Sequence, residues 1–449
     1  MKKVLALLLT LVLSLSLFAG CDGDGAESDA YGDATAVIVV GPDSGTKMEI
    51  WTFVELHNVF YAHMLERWNE LNPDRQIQMT FVTYPYSEMH NKMTMALQTG
   101  VGAPDLCDIE ISQFPNFLRG VVQLYPLNDA LAPYIDDIVP ARLDIYSKDG
   151  RFYGAPTHVG ATVMYYNVEI LEKYGIDYTT IVTWDDFTAA AHQLKEASNG
   201  EVFMTSVDTG GSDWMWVAMA SKGEDWTGGS EAGPANVQLD SVYRMLSMQK
   251  QWLEDGVAMI SPGGQVDTEQ GWANIIDGNI AGFPKAMWFM SRFLNYMPEM
   301  AGKIAIAPVP VFEVGDLRSV GIGGTGTVVS LQSSDPTLAA DYISFAKGSY
   351  EGNLAIWDIL GFDTVNTSVW SDPDITTDET NQFIAYFVTN PFDTLNEIKD
   401  EIGKIAVVSF SPTINETINI TTLNAIFEGG MGVAEALAEA QRMIEIELH

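Results

Sequence analysis

"KMEIWTFVELHNVFYAHMLERWNELNPDRQIQMTFVT", residues 47–83, changes its pattern twice. "KMEIWTF" is a short run of β-type residues and predicts a strand. Beyond it Phe60, Met64, Leu65, Trp68 and Leu71 recur at helical spacing, with Pro73 just past the last of them. "NVFYAHMLERWNELNPD" therefore predicts an amphipathic helix with a stop signal. "QIQMTFVT" is extended again. A strand, a helix and a strand in direct succession form the repeating unit of an α/β protein.

The alternation continues outward from this stretch. "MHNKMTMALQTG" is helical up to its glycine, and "PDLCDIEI" is extended. "TWDDFTAAAHQLKEASNG" places Thr183 and Asp186 as a capping box, buries Phe187, Ala190, Ala191 and Leu194 on one face, and ends at Gly200. "KIAIAPVPV" and "TGTVVSL" are extended. In "DPTLAADYISFAKG", Asp335 is an N-cap, Pro336 takes the first helical position and Gly348 stops the helix. "GVAEALAEAQRMIEIEL" closes the chain as a long amphipathic helix. No internal repeat is present. Mostly buried sheets flanked by helices follow.

The first residues belong to a different kind of element. Lys2 and Lys3 precede an apolar run, Val4 to Phe18, which ends at the small pair Ala19-Gly20. That is a secretory signal peptide, residues 1–20, too short to span a bilayer core of ~30 Å. Cys21 directly after the small pair resembles a bacterial lipoprotein signal, in which the new N-terminal cysteine carries lipid such as palmitate. Residues 21–46 then read as an acidic, extended tether, because Gly, Asp and Ser bury little apolar area and like charges repel. The expected location is extracytoplasmic, anchored to the cell membrane through Cys21.

Loss of Lys2 and Lys3 takes the net charge from −37 to about −39, against 60 Asp and Glu in the full chain. Nucleic acid, whose phosphates need Lys and Arg, is excluded as a partner. With Cys21 acylated, Cys107 has no internal partner, so no disulfide forms and large apolar cores must hold the chain. Cys107 itself reads as a packing residue. The six histidines are scattered, so no metal site is expected, and no cofactor motif is present. "GIGGTG", Gly321 to Gly326, matches a dinucleotide-loop spacing, but a β-like run follows it where a helix would be required. It reads better as a closely packed crossing.

Three stretches resemble family 1 extracellular solute-binding proteins, the sugar-capturing lipoproteins of bacterial ABC importers. They are "ALQTGVGAPDLCDIEISQFPNFLRGVVQLYPLNDAL", "DGRFYGAPTHVGATVMYYNVEILEKYGID" with "TWDDFTAAAHQL", and the region from "GNIAGFPKAMWFMSRF" through "IAIAPVP" to "GGTG" and "DPTLAADYISF". With the C-terminal "EALAEAQRMI" they span most of the chain in the family's order. The resemblance implies a periplasmic-binding-protein-like type II fold: two α/β lobes joined by crossing hinge strands. The first lobe would comprise residues 47–156 plus 319–362, and the second 157–318 plus 363–449. Crossings would fall near Tyr153–Gly160, Ser319–Gly324 and Gly361–Asn366, and ligand would bind between the lobes.

A sugar presents C–H faces to flat aromatics and hydroxyls to carboxylates and amides. Trp288 aligns with the family's cleft tryptophan and is the first candidate. Trp214 and Trp216 form a period-2 pair in "SDWMW". Glu55 and His57 follow the first strand, Glu110 and Gln113 end another, and His158 lies beside the first crossing. Trp272, Arg292 and Asn415 are weaker candidates. The expected function is a sugar-binding receptor, a monomer that delivers a mono- or oligosaccharide to an ABC permease without catalysis. Rival readings are a polyamine, other cationic-solute or glycerol-phosphate receptor, a secreted glycoside-active enzyme with Asp108 and Glu110 as its acid pair, and an adhesive lipoprotein.

Overall fold

The computed structural model describes residues 31–228 and 233–448. The signal peptide, Cys21 and the first part of the tether lie outside the described residues. Within them, one expectation is corrected at once. β1, Ala36–Val40, is an edge strand rather than tether, paired antiparallel with β3, Ile77–Thr83. "AVIVV" is almost wholly β-branched, and its alternate residues stay exposed, as suits a strand with one face to water. The tether therefore ends before Ala36.

β2, Thr46–Thr52, leads into α1, Glu55–Leu71, and β3 leads into α2, Tyr86–Thr99, which stops at the left-handed Gly100. β4, Leu106–Glu110, follows. The first sheet has six strands in the order β1-β3-β2-β4, then Thr325–Val329, then Ala155–Pro156. β2 runs parallel to both β3 and β4. Successive residues of a strand point to opposite faces. Ile50, Met79, Phe81 and Leu106 accordingly share a core with Phe60, Met64, Leu65 and Trp68 of α1. Trp51, Val82, Cys107 and Ile109 share another with Met89, Met93 and Leu97 of α2. Cys107 is fully buried, its Sγ against Met89 Sδ.

The second lobe is built on a three-stranded antiparallel sheet, with Thr162–Asn167 between Gly282–Ala286 and Ile304–Ala307. A short parallel pair, Thr205–Val207 and Ala258–Ile260, lies with it. Helix Trp184–Ala197 starts with the expected capping box. It delivers Trp184, Phe187 and Leu194 to a core that also holds Trp252.

The segments expected to cross between the lobes are bonded to one another. Val159 N–H donates to Asp363 O at 2.9 Å, and Ile322 N–H donates to Gly160 O at 2.8 Å. Contact this close demands glycine. Gly160, at φ +74°, would place a Cβ 2.4 Å from Ile322 O, and Gly324, at φ +112°, would place one 2.7 Å from the Arg142 guanidinium. "GIGGTG" runs directly into the strand Thr325–Val329, so no helix N-terminus is available to a pyrophosphate.

Candidate functional site

Because β2, β3 and β4 are parallel, their carboxyl ends share one edge of the sheet, where open α/β sheets gather ligands. Phe53 follows β2, Tyr86 opens α2 after β3, and Glu110 ends β4. Glu110 Oε2 accepts the Tyr86 hydroxyl at 3.0 Å, the Ser112 N–H at 2.8 Å and the Ser112 hydroxyl. Burial raises the Glu110 pKa; the Ser112 and Tyr86 hydrogen bonds and the Arg142 charge oppose the rise. Gln113 is half-buried in the turn that follows, its N–H donating to Glu110 O at 3.0 Å.

His90 fixes this arrangement from below. Its Nδ1–H donates to Tyr86 O at 2.7 Å, and its Nε2 accepts the Glu110 N–H at 3.1 Å. Burial lowers its pKa to about 4, which keeps the ring in this neutral tautomer. Phe53 packs edge-on against Tyr86, with ring centroids 5.2 Å apart. Tyr86, 38% exposed, was missed by the sequence reading. Its signal is an aromatic residue opening a helix just past a strand and a proline, in "TYPYSEM".

From the second lobe comes Trp288, half-buried after the strand Gly282–Ala286. Its indole N–H donates to Ile322 O at 3.2 Å. Two cations lie over its ring: Lys285 Nζ at 5.7 Å and the Arg292 guanidinium at 5.5 Å from the centroid. Each is neutralised by a carboxylate, Lys285 by Asp213 at 2.6 Å and Arg292 by Asp267 at 3.0 Å.

The two halves converge on the glycine crossing. A Cβ on Gly323 would stand 2.9 Å from Trp288 Nε1, while Gly324 O accepts the N–H of Ile111, next to Glu110. His158 also lies against Gly324 and packs edge-on to Phe362 at 4.7 Å. It is 4% exposed, and neither ring nitrogen has a partner among the described residues. Burial, then the Arg142 charge, push its pKa well down, so the ring is neutral. Across the lobes, Arg119 donates to Ser409 O. Helix Ser411–Glu416 follows and widens into a π-turn at Thr417–Thr422. Asn415 and Asn419, four residues apart there, each carry a buried amide oxygen without a partner among the described residues. Such π-turns occur often at functional sites. Asn419 had no distinguishing sequence signal.

Other expectations are corrected. Trp214 and Trp216, the period-2 pair offered as ligand candidates, lie in the helix Asp213–Ser221. Trp214 is 2% exposed and packs against Trp184 and Trp252, while Trp216 is buried edge-on against Trp226. "WMWVAMA" is apolar on every side and fills a core. His57 is likewise internal, with Nδ1 2.9 Å from Asp108 Oδ2. Glu55, at the start of α1, is exposed on the sheet edge.

A separate cavity of about 590 Å³ opens beside the crossings, between Val139–Arg142 and Ile402–Ile405. None of the sequence-nominated residues lines it, and its one aromatic wall, Trp370, is 3% exposed. It lacks the flat exposed rings that a sugar requires.

The third crossing carries a pH-sensitive group. Asp363 Oδ2 accepts the Ala161 N–H at 2.6 Å, and its Oδ1 has no partner among the described residues. Burial raises its pKa to about 7, against the opposing amides of Ala161 and Gly160. A carboxyl whose folded pKa exceeds its unfolded one contributes stability that is complete below about pH 4 and lost as pH rises through about 7. Asp363→Asn keeps the shape without the charge. Its melting temperature minus that of the wild type is expected to increase steadily from about pH 5 to pH 8. A pH-independent difference would show that Asp363 is ionised throughout.

Residues 54–349 match the family described as bacterial extracellular solute-binding protein. An arabinooligosaccharide-binding protein of Halalkalibacterium halodurans is 40% identical over 422 residues, 93% of each chain. One of Bacillus subtilis is 35% identical, covering 94% of each. Among solved structures, the ABC transporter-associated binding protein of B. animalis subsp. lactis, in complex with β-1,6-galactobiose, superposes with a TM-score of 0.73 at 19% identity. That likeness covers 89% of this chain and 96% of the other and speaks to the fold. With two lobes meeting at a glycine crossing and relatives alike along nearly their whole length, the chain belongs to the bacterial extracellular solute-binding protein family.

Proposed function

We propose that this protein is the extracytoplasmic receptor of an ABC importer, capturing an oligosaccharide between its lobes and delivering it to the permease. The observation that carries the reading is the meeting of a half-buried, cation-braced Trp288 with the Tyr86–Glu110 pair at one glycine crossing. A flat ring serves a sugar face, and the carboxylate, the phenol and the Gln113, Asn415 and Asn419 amides serve hydroxyls. The names of the two relatives at 40% and 35% identity make arabino-oligosaccharides the first ligands to test. In this reading Cys21 carries the lipid anchor, and the receptor works as a monomer.

The rivals meet specific obstacles. Asp108, the partner an enzyme would need beside Glu110, is fully buried and held by His57, Tyr61 and Lys347. The second-lobe carboxylates near Trp288 are already paired with Lys285 and Arg292, which leaves little free anionic surface for a polyamine. A thermal-shift screen of the chain lacking its first 21 residues tests the proposal. A sugar at a hundred times its Kd should add ~2.7 kcal/mol of stability. Stabilisation by polyamines alone would overturn the sugar assignment, and cleavage of the sugar would overturn the receptor.

A further inference from the structure

We infer that a second carbohydrate platform lies outside the cleft, on the stacked pair Trp272–Tyr296, where it takes the end of an oligosaccharide too long for the cleft. The inference rests on the sugar reading above and deepens it to chain-length preference.

Three observations carry it. The Trp272 and Tyr296 rings lie 4.2 Å apart and within 4° of parallel. Trp272 is half-buried and Tyr296 is 51% exposed, so the pair turns a flat aromatic face to solvent. The buried aromatic pairs of the core meet mostly tilted or edge-on, as Trp184 and Phe187 do at 76°.

The second observation is continuity with Trp288. Arg292 has its guanidinium over the Trp288 ring and its Nε 3.0 Å from Asp267 Oδ1. The same Asp267 oxygen accepts the Trp272 indole N–H at 3.2 Å. Aromatic ring, guanidinium, carboxylate and aromatic ring thus form one unbroken strip. Such an alternation suits a saccharide chain: rings meet the C–H faces, while Arg292 and Asp267 meet hydroxyls.

The third is spacing. Trp288, Arg292 and Tyr296 recur every fourth residue, through the turn Met287–Phe289 and the helix Met290–Tyr296. Residues four apart share a helix face, and eight residues rise ~12 Å. The strip therefore leads away from the crossing for long enough to seat sugar units beyond the one on Trp288. Trp272 joins it from the neighbouring helix Glu269–Ile276, whose start is fixed by the Thr268 cap.

The test is calorimetric titration of arabino-oligosaccharides from disaccharide to octasaccharide into wild type, Tyr296→Ala and Tyr296→Phe. In wild type, affinity should rise with length beyond what the cleft alone holds. Tyr296→Ala should leave the short members unchanged and weaken the long ones by about 3- to 10-fold, the size of one aromatic contact. Tyr296→Phe should retain the wild-type profile, because the ring face rather than the hydroxyl is used. Equal weakening at every length would assign Tyr296 a purely structural role and overturn the platform, as would no effect at any length. If wild type binds no sugar of any length, the receptor reading fails first and takes the platform with it.

Discussion

Replacement of Trp288 by alanine is expected to weaken sugar binding by at least about 30-fold, equal to ~2 kcal/mol. Three losses combine. The flat face disappears, together with the contact area that makes tryptophan the commonest hot-spot residue. Lys285 and Arg292 lose the ring between them and can turn toward Asp213 and Asp267 alone. Ile322 O, in the second crossing, loses its indole donor, so the hinge itself is less well held. The variant Trp288→Phe separates these effects, since it keeps an aromatic face but cannot bond Ile322. Titration with an arabino-oligosaccharide should rank wild type above Phe, and Phe above Ala. Thermal unfolding without ligand should show a smaller loss for both, because the ring is only half-buried. Affinity in the Ala variant within about twofold of wild type would remove Trp288 from the site.

The fold was legible in the sequence wherever periodicity was strong. Residues 47–83 gave β2, α1 and β3 because each strand buries alternate residues on two covered faces and α1 buries one stripe. Leu71, in phase with that stripe, is nonetheless 50% exposed, because the helix ends beside it at Asn72. β1 was hidden by its neighbours: Ala36 and four β-branched residues follow a stretch rich in Asp, Gly and Ala, and composition outweighed local pattern. Of the candidate site, Trp288, Glu110 and Gln113 are the residues that a strand end or a local motif marked in the sequence, and the fold sets Glu110 and Gln113 at the carboxyl end of β4 and Trp288 after the strand Gly282–Ala286. The pattern was illegible at Trp214 and Trp216, since a helix apolar on all sides has no phase and a two-residue spacing cannot be told from packing. The candidates Tyr86 and His90 carry no such local mark, for a different reason. Their roles come from partners brought together by the fold, such as the His90 ring bridging Tyr86 O and Glu110 N–H, and no local pattern encodes that.

Lys347→Met is expected to destabilise the folded chain by ~3–5 kcal/mol, the cost of leaving a buried carboxylate without its cation. Lys347 is 1% exposed and Asp108 fully buried, with Nζ 3.7 Å from Oδ1. Burial alone would raise the Asp108 pKa, but Lys347 and His57 outweigh it and hold the carboxyl well below the usual range. The Tyr61 hydroxyl donates to Oδ1 at 2.6 Å, as does Thr327, and His57 Nδ1 meets Oδ2 at 2.9 Å. Burial lowers the Lys347 pKa to about 8, opposed by Asp108. Its ammonium also donates to Thr157 at 2.7 Å and to Thr327. Thr157 enters the first crossing and Thr327 leaves the second, so the charge pair anchors two hinge segments to β4, two residues before Glu110. Adding Asp108→Asn to Lys347→Met should restore part of the loss, because the orphaned charge is removed with its partner. The double variant should therefore be less destabilised than the sum of the single ones by more than about 1 kcal/mol in denaturant unfolding. Additive losses would mean that the two groups act separately, Lys347 through its threonines and Asp108 through His57 and Tyr61. The crossings would then be held by those hydrogen bonds rather than by the buried ion pair.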